Sequence, residues 1–263
     1  MRLFLLITFI LSLKLNYSKP FNYSSVKQLS DSIINKDDTT EDLKVFKIYK
    51  WITENIYYDC DKAKSNDEIY QKNLIRLSKK KKLLEYNSSS ALETIKSKSG
   101  VCSDYADLFK ELCDANNITC CVYSGYGKAS KRQIGTCFRS NHAWNTVKIK
   151  DSIYNYDCTW GSGFADEDCT KFTQEPNFNY YRVSDSIFNF SHLIKPSRAD
   201  TNFNKIQKIF YNYPKISHGF YEYKLHDFIP INGMLDVKKD SVILFKIKAN
   251  DFIATASCTL HNM

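Results

Sequence analysis

The chain has 263 residues, 43 % of them hydrophobic and 25 % charged, with 8 Gly and 5 Pro against 17 Phe and 18 Tyr. So aromatic a composition excludes a disordered or collagen-like polymer, because disordered chains lack such residues. The length suits one large domain or two modest ones, and the net charge of +8 is spread along the chain, which permits acidic partners without naming one.

Met1-Arg2 precedes an apolar run from Leu3 to Leu13, broken only by Thr8 and Ser12, and polar residues follow from Lys14. This is the pattern of a signal peptide, here expected over residues 1–18, and it is short of the ~20 residues of a spanning helix. A secreted or extracellular protein follows. Membrane attachment follows only if that segment stays uncleaved. Residues 19–205 are then read as the core domain and 206–263 as a small β-rich C-terminal extension.

Asp38-Thr39-Thr40-Glu41 has capping-box spacing, and Val45, Ile48, Tyr49, Ile52 and Ile56 give an amphipathic helix over 41–56. A second helix is expected over 66–86. Its Lys79-Lys80-Lys81-Lys82 run reads as a solvated face rather than a nucleic-acid or membrane patch, being short and without interleaved aromatics. No nucleic-acid partner is expected. Ser90 and Glu93 form another capping box for a helix to Ser97, and Ser99-Gly100 turns the chain into Val101-Cys102. Tyr105, Leu108, Phe109, Leu112 and Cys113 then stand at i, i+3, i+4, i+7 and i+8, a core-facing helical stripe that stops at Asn116-Asn117.

Strands are expected at 118–125, 141–149 and 152–159, separated first by a loop over 126–140. Residues 160–205 read as loops with a short helix or two. From 206 the chain reads as β-rich, with strands at Phe220–Tyr223, Val242–Ile247 and Phe252–Ile253. The nine cysteines contain no C-x-x-C pair, which removes the usual support for a zinc ribbon or a thioredoxin motif. In an exported chain their odd number implies up to four disulfides and one spare thiol, with Cys137–Cys169 the first pairing expected. His192, His218, His226 and His261 lack metal-ligand spacing and read as surface or loop residues, so neither a metal nor any other cofactor is expected.

The spare thiol is the productive question. Cys102 begins a helix after a Gly turn, where backbone N–H groups favour a thiolate. If the hairpin turns over Lys148 to Asp151, His142 and Asp157 lie directly opposite one another on one face. A carboxylate would then orient an imidazole, and a helix packed on that face would bring the Cys102 thiol to it. The expected catalytic set is Cys102 as nucleophile, His142 as general base and acid, and Asp157 fixing the tautomer. Trp144 and Trp160 flank it, as walls of a substrate groove or as core packing.

Three blocks carry a resemblance: Gly100-Val101-Cys102-Ser103-Asp104-Tyr105-Ala106, Asn141-His142-Ala143-Trp144-Asn145, and Asp157-Cys158-Thr159-Trp160-Gly161. In this order they resemble the transglutaminase-like superfamily, and most of all its kyphoscoliosis-peptidase-like branch. Lys50 to Tyr58 looks like the helix and turn before the core in that group. The resemblance covers roughly residues 41–195. It implies an α+β, papain-like core with the nucleophile helix packed on an antiparallel sheet, and a Cys-His-Asp triad at the three residues above. It also implies acyl transfer or hydrolysis on amide groups of a protein or peptide substrate, as a peptidase, a deamidase or a crosslinking enzyme. An oxyanion site would use the Cys102 N–H and an upstream side chain, with Trp51 and Tyr58 as candidates. After Tyr180-Tyr181 the chain departs from the family pattern. The alternative reading is a non-catalytic secreted or cell-surface binding protein that keeps the fold; neither reading fixes an oligomeric state.

Overall fold

The computed structural model describes residues 23–196, 202–216, 220, 225–229, 231–236, 238 and 242–249. The apolar N-terminal run, His218, His261, Cys258 and the strands expected at 221–223 and 252–253 lie outside them. Among the described residues no helix is long and apolar enough to cross a membrane.

α1 (Val26–Ile33) leads into α2 (Glu41–Asn55), whose cap is Thr40 rather than Asp38. The Thr40 hydroxyl accepts the Leu43 N–H at 3.3 Å, while the Asp38 carboxylate takes the Asn35 N–H and the Lys47 ammonium. β1 (Tyr57–Tyr58) precedes α3 (Cys60–Ser78), which starts earlier and ends earlier than the spacing predicts. Asp59 explains the early start, since its carboxylate accepts the Lys62 N–H at 2.8 Å. Lys79–Lys82 fall beyond the helix, on a turn where Lys80 has φ 52°. α4 (Ala91–Ser97) carries the expected Ser90–Glu93 capping box. β2 (Ser99–Gly100) pairs in parallel with β1 and delivers the chain to α5 (Cys102–Asp114).

All five residues of the α5 stripe are fully buried. They pack with Val45, Ile48 and Ile52 of α2, Ala91 and Ile95 of α4, and Val147 and Tyr156 of the sheet. Phe109 stacks on Tyr156 with ring centroids 5.6 Å apart. Phe109→Ala is therefore expected to cost about 3–5 kcal/mol in a urea unfolding titration, the range for deleting a buried aromatic ring.

β3 (Cys120–Gly127), β4 (His142–Ile149) and β5 (Ser152–Tyr156) are antiparallel neighbours. The β4–β5 pairing differs from expectation by two residues: Asn145 faces Tyr156 and Ile149 faces Ser152. The cause is the turn, a two-residue Lys150-Asp151 loop with Lys150 at φ 54°, rather than a four-residue one. Because side chains alternate with period two, a shift of two leaves His142 on the same face. β5 stops at Tyr156, since Asp157 caps α6 (Cys158–Ser162) by accepting the Trp160 N–H at 3.0 Å. β6 (Gly163–Ala165) and β7 (Phe172–Gln174) form a small antiparallel pair. Beyond α7 (Asp185–Phe188), β8 (His192–Ile194) joins the main sheet, giving the order β5-β4-β3-β8. α5 lies across this sheet, and Asn145 Nδ2 donates to the Ala106 carbonyl at 2.9 Å. The fold is thus an α+β core with a helix bearing Cys102 on an antiparallel sheet.

Residues expected to be β-rich from 206 begin instead as α8 (Phe203–Asn212). Its Phe210 and Tyr211 are buried beside Phe138, which outweighs the β propensity of the sequence. β9 (His226–Ile229) and β10 (Lys246–Lys248) pair antiparallel.

Cys169 bonds to Cys60, with Cα atoms 5.3 Å apart, and not to Cys137, which is exposed and free. Among the described residues this is the single disulfide, fewer than the four the count allowed. Cys113, Cys120 and Cys158 are buried thiols that pack as small apolar side chains.

Candidate active site

Cys102 is the first residue of α5, half-buried and unbridged. Its turn is held by Asp104, which is 1 % exposed. That carboxylate accepts the Val101 N–H at 2.8 Å, the Ser89 N–H at 3.1 Å and the Lys62 ammonium at 2.7 Å. Position 100 must be Gly, since a Cβ there would stand 2.7 Å from the Asp104 Cβ.

His142 opens β4 opposite Gly125, and Gly127 leaves room for it: a Cβ on Gly127 would lie 2.8 Å from the His142 Cβ. The Cys102 side chain is among the groups that favour the charged ring, and the ring's Nε2–H donates to Asp157 Oδ2 at 2.7 Å. With Nε2 committed to the carboxylate, Nδ1 is the nitrogen left for sulfur. The structure thus brings His142 and Asp157 together, through a diagonal rather than a directly opposed pair, while Cys102 heads the helix that lies across the same sheet.

A second imidazole completes the cluster. His192, expected at the surface, is fully buried on β8, and its Nε2 lies 3.1 Å from the same Asp157 Oδ2. Its Nδ1 is 2.8 Å from Ser191 Oγ, and the ring stacks on Phe188 at 3.7 Å between centroids. Asp157 therefore receives the Trp160 N–H on Oδ1 and two imidazole N–H groups on Oδ2. Apolar Ile187, Phe188 and Leu193 around His192 were the available sequence signal; a strand of three residues is too short to show alternation.

Charges in this cluster follow from burial and mutual contact. Burial works against a charged His142, but the Asp157 carboxylate, with Cys102 adding, outweighs it and holds the ring up at about 10. Burial likewise opposes a charged Asp157, yet His142 and then His192 keep its carboxyl well below the usual range. For His192 burial wins over the pull of Asp157, and the ring drops to about 4. At neutral pH the set is therefore imidazolium, carboxylate and neutral imidazole. Their donor atoms all lie within 4.8 Å, so His192 does belong to a set with metal-compatible spacing. The two N–H···O bonds already account for that spacing.

The cluster opens on a cleft of about 1130 Å³ lined by Tyr58, Lys128, His142, Trp160, Phe172 and Tyr180 among others. Trp160 stacks on His142 at 5.0 Å and faces this cleft. Trp144 does not: at 2 % exposure it lies inside, against Phe188 and His192, because its strand position points into the second apolar cluster. Both upstream candidates, Trp51 and Tyr58, pack against the main core, and Tyr58 also lines the cleft. Lys128 is 1 % exposed, its ammonium donating to the Phe210 and Tyr213 carbonyls at 2.5 and 2.7 Å, and burial lowers it to about 7.

Residues 24–160 match the family described as a transglutaminase-like domain. The chain belongs to that family. It is 28 % identical over 166 residues to the kyphoscoliosis peptidases of Mus musculus and of Homo sapiens, matching 59 % of this chain and 22 % of each relative. The chain thus spans about a fifth of the length of those two relatives. A crystal structure of a TGase overlays on 51 % of this chain and 30 % of its own, at 13 % identity and a TM-score of 0.32. The transglutaminase-like family and the antiparallel α+β core agree with the expectation from the three sequence blocks. The family match ends at Trp160, so β8 and His192 lie beyond it.

Proposed function

We propose that this chain is an exported cysteine enzyme that attacks amide groups of proteins or peptides, with Cys102, His142 and Asp157 as its catalytic triad. The observation that carries the reading is the buried His142–Asp157 hydrogen bond at 2.7 Å on the sheet crossed by α5, whose first residue is the unbridged Cys102. The Cys102 thiolate adds to an amide carbonyl carbon, forming a C–S bond, and the developing oxyanion takes the Cys102 N–H. His142 passes its proton to the departing amine as the C–N bond breaks. Water then adds to the thioester, its proton going to His142, and the C–S bond breaks to release acid; a lysine amine in place of water gives a crosslink. Trp160 walls the substrate groove, while Trp144 supports the imidazoles from within. The unbridged state of Cys102 favours this enzyme reading over a binding protein that merely keeps the fold. The Cys60–Cys169 disulfide and the apolar leader support export.

His192 acts in this scheme as a positioning residue, holding the oxygen that orients His142. His192→Phe is expected to lower kcat/KM by about 10- to 100-fold with KM nearly unchanged, as for other groups that orient a ligating or catalytic side chain. His192→Gln, which keeps an N–H donor, should recover part of that loss; equal loss in both variants would leave His192 a packing residue. The reaction itself is tested by incubating the protein with glutamine-containing peptides, following ammonia and new termini, and weighing the intact protein. An acyl adduct on Cys102 with either product is expected. A folded protein that gives no adduct and no product across the panel would contradict the proposal.

A further inference from the structure

α3 and the segment that follows it form an arm that stands apart from both apolar cores. Among the nineteen residues of α3 only Asn73 is buried, and no residue of 60–90 belongs to either core cluster. The return segment is laced to the helix by two asparagines. Asn73 Nδ2 donates to the Leu84 carbonyl at 2.9 Å while its Oδ1 accepts the Leu84 N–H at 2.7 Å. Asn66 makes the same pair of bonds to Asn87, at 3.0 and 2.7 Å. Among the described residues the arm is tied to the rest of the chain by the Cys60–Cys169 disulfide, the Lys62–Asp104 bridge at 2.7 Å and Arg139, which pairs with Asp67 and stacks on Tyr70 at 3.9 Å.

The far end of this arm is apolar and exposed. Ile75 is 58 % exposed, Leu77 57 %, Tyr86 50 %, Leu74 and Leu83 45 %, and Leu84 37 %. An exposed Leu needs no explanation singly; six large side chains within thirteen residues do. Lys72, Arg76 and Lys79–Lys82 surround them, with Glu85 the one acid between Lys72 and Tyr86. At roughly 100° per residue, Leu74 and Leu77 share a face and the three side chains span about 160° of the helix, a broad apolar face rimmed by cations. An apolar face flanked by lysines is the composition that enters an anionic membrane interface, the apolar side chains buried and the cations at headgroup level.

We infer that this arm tip docks on an anionic membrane surface, its apolar side chains entering the interface and its lysines meeting lipid phosphates. The charge sign fits, since Lys72, Arg76 and Lys79–Lys82 stand around the exposed apolar side chains. Ile75 lies roughly 22 Å along the helix from Cys60. Cys169, bonded to Cys60, lines the cleft, so a docked arm would hold the cleft mouth close to the bilayer. This association needs neither the N-terminal segment nor the proposed chemistry.

The test is co-sedimentation of the full chain with phosphatidylcholine vesicles, with and without about one-third phosphatidylserine, at about 0.1 M salt where the screening length is about 10 Å. Wild type is expected to pellet with the anionic vesicles and not with the neutral ones. Both I75S/L77S and a variant with Lys79–Lys82 changed to Ser are expected to bind at least ten-fold less, and C102A as well as wild type. Wild type remaining in the supernatant would overturn the inference. So would I75S/L77S binding as wild type, which would leave charge attraction alone. Soluble polyglutamate serves as an acidic polypeptide control. If it binds as tightly as the vesicles and with the same dependence on Ile75 and Leu77, the surface is a protein-docking site and the lipid assignment is wrong.

Discussion

Replacing Cys102 by Ala is expected to reduce turnover of an amide substrate by on the order of 10⁶-fold, without loss of the fold. The size follows from what the sulfur would supply: the oxyanion donor and the groove alone cannot form an acyl intermediate. The fold should survive because Cys102 is half-buried at a helix end whose turn is held by Asp104 through Val101, Ser89 and Lys62, none of which uses the thiol. Far-UV circular dichroism and an unfolding titration check that half. Intact-mass analysis with an electrophilic amide mimic checks the other. Labelling of C102A at the wild-type rate would remove Cys102 from the nucleophile role.

Asp157→Asn should lower kcat/KM by about 10³- to 10⁴-fold, the scale seen when a triad carboxylate is made neutral with its geometry kept. The pH profile gives the sharper readout. In the wild type the buried His142 ring is held up at about 10 because the Asp157 carboxylate outweighs burial. The protonated ring needed to expel the amine is thus populated through neutral pH, and kcat/KM should fall only as pH rises through about 10. In Asp157→Asn the burial remains and the negative charge is gone, so the ring loses its proton at lower pH and the alkaline limb must move down. An alkaline limb left in place would mean that Asp157 does not set the charge of His142.

Much of this arrangement was legible in the residues. The α5 stripe from Tyr105 to Cys113 read as core because a helix repeats every three to four residues, and every member is buried. His142 and Asp157 were paired by a hairpin argument whose turn was wrong and whose parity was right, since an error of two residues does not change the face of a strand. His192 escaped because its strand has three residues and its partner Asp157 is 35 positions away, a contact that only the closed sheet creates. The Cys60–Cys169 bridge spans 109 residues, and pairing of that kind carries no local pattern. The arm around α3 was misread for a different reason. Lys79–Lys82 looked like a solvated helix face, and periodicity alone did not reveal that the helix ends at Ser78 with Leu74, Ile75 and Leu77 facing solvent.

The most direct test of the account is alkylation of the non-reduced protein at about pH 6, where ordinary thiols react slowly, with the modified cysteine mapped by mass spectrometry. Cys121 and Cys137 are free and exposed, and serve as internal references. Cys102, though less exposed than either, is expected to be labelled first, and this advantage to disappear in His142→Ala. Cys102 reacting no faster than Cys121 and Cys137, or equally fast without His142, would contradict it.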